Sequence, residues 1–152
     1  MSPSQYLATA ALLAIGMHAH AAAPEQCQPL TEHDALGLFA KWNTTLQTGD
    51  PAQVADLYHE QAVLLPTVSK TPRLTRDERI DYFRHFLADR PSGKLDSHHL
   101  QTGCNTATLA GLYTFDYAST GKQVAARYTY TYRWDGQNWM IKHHHSSVLP
   151  QG

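Results

Sequence analysis

Three consecutive histidines, His143-His144-His145, close a segment of alternating polar and apolar residues near the C-terminus. Imidazole is the side chain whose charge changes most readily near neutral pH, and it is a common metal ligand. In an extended strand, alternation sends His143 and His145 the same way as Trp139 and Ile141, with His144 opposed. If the Trp139 face is the buried one, two imidazoles about 7 Å apart look inward together. Such a pair can relay a proton, act as a general base or hold a ligand. The other reading is a pair of hydrogen-bonded histidines in a polar wall. A zinc site would need further convergent ligands, and nothing in the spacing of His98 or His99 supplies them, so no metal is expected.

Arg127 is the next candidate, in the middle of a run where Val124, Ala126, Tyr128, Tyr130, Tyr132 and Trp134 share one face. Arg127, Thr129, Thr131 and Arg133 share the other. A mid-strand guanidinium either faces solvent or pairs with a carboxylate or bound anion. The tyrosine stripe favours packing over ligand stacking. Trp42 and Tyr58 are expected on the helix side of a cavity, and Tyr113 and Thr129 on its sheet side. The chain has no Gly-x-Ser-x-Gly turn and no phosphate-cradling glycine loop. Its only strand carboxylates, Asp96 and Asp116, fall close to strand ends, which weakens an acid–base enzyme reading.

The elements that would position these residues are legible in order. Thr31 caps a helix to about Thr48, with Asp34 placed to reach back and Ala35, Leu38, Phe39, Trp42 and Leu46 as its buried stripe. Gly49 ends it, and Asp50-Pro51 opens a second helix whose inner side is Val54, Leu57 and Tyr58. Ala62–Pro66 reads as a short strand. Thr75 and Glu78 form a capping box for a third helix through about Ala88. Period-two patterning then predicts strands near 94–102, 106–117, 122–134 and 139–148, joined by tight turns and so antiparallel. The class is α+β, in the order α-α-β-α-β-β-β-β.

At 152 residues there is room for one domain. A formal net charge of −1 with no basic run argues against a nucleic-acid partner and against membrane-surface attachment. Residues 7–17 form an apolar core too short to span a bilayer, followed by Ala19-His20-Ala21, the small-x-small pattern of a cleaved leader. Residues 1–21 are therefore expected to be a signal peptide, 22–30 an N-terminal extension, and the product periplasmic or secreted. Export makes a Cys27–Cys104 disulfide the simplest use of the two cysteines, two separate thiols being the alternative. The bridge would close a loop of about 78 residues, worth roughly 4.5 kcal/mol by chain entropy.

The element order resembles the nuclear-transport-factor-two-like superfamily of cone-shaped α+β domains. So do the strings Trp42-Asn43 to Pro51, Val54–Tyr58, Ala62–Pro66, and Asp135-Gly136 to Trp139 running on to Ser147. Within that superfamily (the SnoaL-like cone fold), the resemblance is closest to bacterial stand-alone proteins of the calcium/calmodulin-dependent protein kinase association (hub) domain family. It covers about Thr31–Pro150. It implies a curved, mainly antiparallel sheet around a long first helix, a pocket open at one end, and a homodimer or larger ring assembled through the sheet. The hub's pocket arginines fall near Tyr113, Thr129 and Ser146 here, none of them basic, so an acidic ligand is not carried over. Neither a kinase domain nor a calmodulin-binding segment is read in these 152 residues, so neither kinase activity nor calmodulin binding is expected from the resemblance.

The reading is an exported module that self-associates, binds a small organic molecule inside the cone, or both. Its ligand contacts would be Trp42, Tyr58, Tyr113, Arg127, Thr129, His143 and His145. The alternative is a cofactor-free SnoaL-like isomerase, cyclase or hydrolase with His143 or His145 as base. Fold alone does not decide between them.

Overall fold

The computed structural model describes residues 26–67 and 69–150. The expected leader, residues 1–21, lies outside them. Helices α1 (Glu32–Leu46), α2 (Pro51–Ala55) and α3 (Arg76–Phe86) and strands β1 (Tyr58–Leu65), β2 (Pro91–Gly103), β3 (Thr106–Tyr117), β4 (Lys122–Trp134) and β5 (Trp139–Val148) follow in the predicted order. A single 3-10 turn, Leu87–Asp89, extends α3.

The caps form as read. Thr31 and Asp34 exchange side-chain and backbone hydrogen bonds at the start of α1, and Thr75 with Glu78 does the same for α3. Asp50 accepts from the amides of Ala52 and Gln53. Several boundaries differ from expectation, and β2 begins at Pro91 rather than near residue 94. Helix α2 is only five residues long, and Tyr58, expected on its inner side, is instead the first residue of β1. The helical stripe 54, 57, 58 and the strand alternation 58, 62, 64 both fit the sequence, and pairing of Tyr58 with Ile141 decides for the strand.

The sheet is five-stranded and mixed, in the order β1-β5-β4-β3-β2. Only the β1–β5 pair is parallel. The helices cover one face, where Phe39, Trp42, Phe83, Tyr113, Phe115, Tyr128, Tyr130 and Tyr132 make a core dominated by aromatic rings. Strands of 12 to 13 residues cannot wrap such a core while staying flat, and bulges bend them. One sits at Asp96 in β2, where Leu95 and Ser97 pair with the adjacent Tyr113 and Leu112. A second sits at Lys142 in β5, where Ile141 and His143 pair with the adjacent Tyr132 and Thr131. Opposite the first, a Cβ on Gly111 would lie 2.1 Å from the Ser97 carbonyl oxygen, so only glycine fits.

The third irregularity is in β1, between Tyr58 and Val63. Carbonyls released there by the broken pairing are taken up by Arg79, a fully buried side chain of α3. Its guanidinium donates to the carbonyl oxygens of Ala62 (2.9 Å), Glu60 (3.2 Å) and His59 (3.3 Å), and it lies 5.8 Å from the centre of the Tyr58 ring. A disulfide joins Cys27 to Cys104 and ties the N-terminal extension to the β2–β3 turn. The Gln28 amide reinforces this tie through the Asn105 side-chain oxygen, at 2.8 Å.

Candidate functional site

Inside the cone, the last strand contributes His144 rather than its neighbours. The bulge at Lys142 spends one extra residue, so alternation resumes in the opposite phase. Ile141 faces in, and His144 and Ser146 follow it inward. His143 and His145, expected inside, lie half-buried on the outer face, paired with Thr131 and Thr129. Arg127 is exposed on that same outer face, and Thr129 is half-buried beside it. Four of the seven expected ligand contacts, Arg127, Thr129, His143 and His145, therefore do not line the cone. Trp42, Tyr58 and Tyr113 do, each at least 96% buried.

Those three belong to two short polar chains within the aromatic core. The Trp42 indole donates to the Tyr58 hydroxyl oxygen at 3.1 Å, and that hydroxyl lies 2.8 Å from His144 Nδ1. An indole N–H can only donate, so the Tyr58 proton is free to point at His144. Nδ1 is then the acceptor, and the imidazole is neutral with its proton on Nε2. Nε2 is buried without a hydrogen-bond partner. The Tyr130 ring stacks on the imidazole with centroids 4.0 Å apart. Burial, assisted by the nearby His143 and His145, pushes the His144 pKa down to about 3. In the second chain, the Tyr113 hydroxyl donates to Ser146 Oγ at 2.5 Å, and Thr67 contacts the same oxygen.

Little space remains between the two chains. The cavity bounded by Trp42, Leu64, Phe83, Tyr113, His144 and Ser146 measures about 10 Å3. That is room for about one water, whereas small-molecule sites run to roughly 300–1,000 Å3. The aromatic stripe of β4 packs against α1, with Phe39 meeting Tyr128 and Tyr130, and Trp42 meeting Tyr130. Among the described residues, no three His, Cys, Asp or Glu side chains converge as a metal site would require.

The outer face has a different character. Rows run straight across the strands: Val63, His143, Thr131 and Thr108 in one, and Leu65, His145, Thr129 and Ala110 in the next. All eight are half-buried, and Leu112 in the following row is 37% exposed. The ring contacts of α1 and α3 with the sheet reach Phe115, Tyr117, Tyr128, Tyr130 and His144 on the inner side, and none reaches these rows.

A curved mixed sheet wrapped on a long first helix, with an aromatic interior, defines the nuclear-transport-factor-two-like cone fold. Solved structures agree. A Novosphingobium aromaticivorans NTF2-like protein with a cystatin-like fold superposes with a TM-score of 0.65 at 17% identity, over 79% of this chain and 82% of that one. A Nostoc punctiforme protein of unknown function with a cystatin-like fold gives 0.68 at 16%, over 82% and 97%. More specifically, the chain belongs to the calcium/calmodulin dependent protein kinase II association domain family, whose profile matches residues 31–150. A Xanthomonas campestris protein provisionally described as such an association domain is 39% identical, with a TM-score of 0.75 over 87% of this chain and 95% of that one. No curated protein sequence matches the chain.

The sequence reading missed Arg79 and the inward role of His144. An arginine at the fourth position of α3, one turn before Phe83, lies on the apolar stripe, and that spacing is the signal that could have exposed it. For His144 no local signal exists, because the bulge that turns it inward depends on pairing with β4.

Proposed function

We propose that this chain is an exported self-association module, a homodimer or larger ring joined through the outer face of its sheet. The observation that carries the reading is the contrast between the two faces. The cavity between the two polar chains is only about 10 Å3, while the outer face presents two ordered rows of threonine, histidine, alanine and aliphatic side chains that no ring of α1 or α3 reaches among the described residues. Sheets that pack face to face interdigitate the side chains of their facing surfaces at a separation of about 10 Å. The family's association-domain description fits the same reading. The Cys27–Cys104 bridge supports an oxidising destination, since disulfides persist mainly outside the cytosol.

The enzyme alternative draws less support. His144 is the histidine that faces the cone, and a group with its pKa near 3 is a weak base at neutral pH. Light scattering on the oxidised chain lacking residues 1–21 tests the proposal. A mass of two or more subunits is expected, falling to one subunit in Thr129→Arg with an unchanged circular dichroism spectrum. A monomer at high micromolar concentration, or an assembly indifferent to Thr129→Arg, would sink it.

A further inference from the structure

Beside the β4–β5 turn the surface opens into a groove of about 480 Å3, well within the size range of ligand sites. Trp42, Tyr132 and Ile141 of the buried core line it, and none of the residues of the two outer sheet rows does. Its apolar wall includes Trp134 and Trp139, the last residue of β4 and the first of β5, with ring centroids 5.9 Å apart. Tyr132 also lines it, and its buried hydroxyl has no hydrogen-bond partner among the described residues. The polar rim is made of Lys41, Asp56, Asp135, Gln137 and Asn138. The turn that presents them is pinned by the Asp135 carboxylate, which accepts from the amides of Gln137 (2.8 Å) and Asn138 (2.7 Å). Leu38 and Trp139 also border a second depression of about 420 Å3, walled by Gln28, Pro29 and His33. Sharing these two residues, the depressions are neighbouring parts of a trough along α1.

We infer that this trough is a binding site for a neutral oligosaccharide. The charges argue for neutrality. Asp56, on the rim, is occupied by Arg76 at 2.7 Å, and Asp34, in the second depression, is held by the Thr31 hydroxyl and amide. The one lysine, Lys41, is therefore outnumbered by carboxylates, and Asp135 is the remaining one. An anionic ligand would need an unopposed cation in such a place. A peptide adding as a strand would need a free sheet edge, and β4 and β5, which frame the groove, are both paired on two sides. Sugar hydroxyls donate and accept together, matching amide and carboxylate side chains, while the C–H faces of the rings pack on indole. The second depression provides length for further linked rings, and the disulfide-anchored extension forms its far wall.

Saturation-transfer NMR with maltohexaose, cellohexaose and chitohexaose, each at millimolar concentration with the oxidised protein, tests this. Transfer to at least one of them is expected. Trp139→Ala should weaken that binding by about tenfold or more, as loss of a central aromatic anchor does. Gln137→Ala, at an exposed turn position, guards against a folding defect in the tryptophan variant and should weaken binding by a smaller factor. Absence of transfer to all three sugars overturns the inference, as does transfer unchanged in both variants. Neither tryptophan is on the outer sheet face, so the subunit mass of each sample reads self-association separately.

Discussion

The Tyr58 hydroxyl and His144 Nδ1 lie 2.8 Å apart in a core that excludes solvent from both. This contact fixes the neutral tautomer of the imidazole. It also makes folding sensitive to acid, because the unfolded chain can protonate His144 and the folded chain cannot do so easily.

The pH dependence has a definite sign. The His144 pKa is about 3 in the folded protein against an ordinary 6.5, so the unfolded state binds more protons between those values. Stability is complete above pH 6.5 and drains as pH falls towards 3, by up to about 1.4 kcal/mol per pH unit from this side chain. His143, lowered by its partial burial and by His145, adds in the same direction. Urea unfolding at pH 7, 6 and 5 should show the decline, and His144→Phe should flatten it. A His144 ring resonance titrating with a midpoint near 6.5 would refute the argument.

Arg79 should be among the costliest polar side chains to remove. Arg79→Leu leaves the carbonyls of Ala62, Glu60 and His59 without their donor at the β1 irregularity. Unfolding free energy should fall by about 3 kcal/mol or more. Arg79→Lys should recover only part of this, since an ammonium cannot span three carbonyls as a guanidinium fork does. A loss below about 1 kcal/mol for the leucine variant would mean the carbonyls find other donors.

Gly111→Ala tests the close approach of β2 and β3. The added methyl carbon meets a backbone oxygen at 2.1 Å, so the strands must separate or the bulge at Asp96 must move. A loss of about 2–4 kcal/mol is expected in thermal or urea unfolding, larger than for an ordinary strand glycine. Wild-type stability in this variant would mean the bulge shifts freely.

Removing the disulfide should destabilise without changing the fold. Cys27 and Cys104 are 77 residues apart, and the chain-entropy account gives about 4.5 kcal/mol for such a loop. The paired variant Cys27→Ser/Cys104→Ser should lose about 2–4 kcal/mol in urea unfolding and keep its circular dichroism spectrum. Two thiols freely alkylated in native protein would remove the premise.

Most of the fold was legible because its signals are local. A capping box such as Thr31 with Asp34 spans three residues, and strand alternation in Lys122–Trp134 needs no distant partner. The site was legible only in part. Trp42 and Tyr113 were placed inside by simple periodicity, and Tyr58 reached the interior although its element was misassigned. The histidines were not.

The sequence by itself determined the element order, the helix caps and the aromatic inner stripe, each of which follows from neighbours in the chain. It made the Cys27–Cys104 bridge the simplest of two readings, which the tertiary structure decided. Only the tertiary structure decided which histidine enters the core and which arginine is buried. Lys142 becomes a bulge because Tyr132 and Thr131 pair around it, and that single extra residue reverses every side chain after it. Arg79 is buried because strand β1 releases carbonyls that need a donor. Both outcomes rest on hydrogen bonds between distant segments, which no local pattern records.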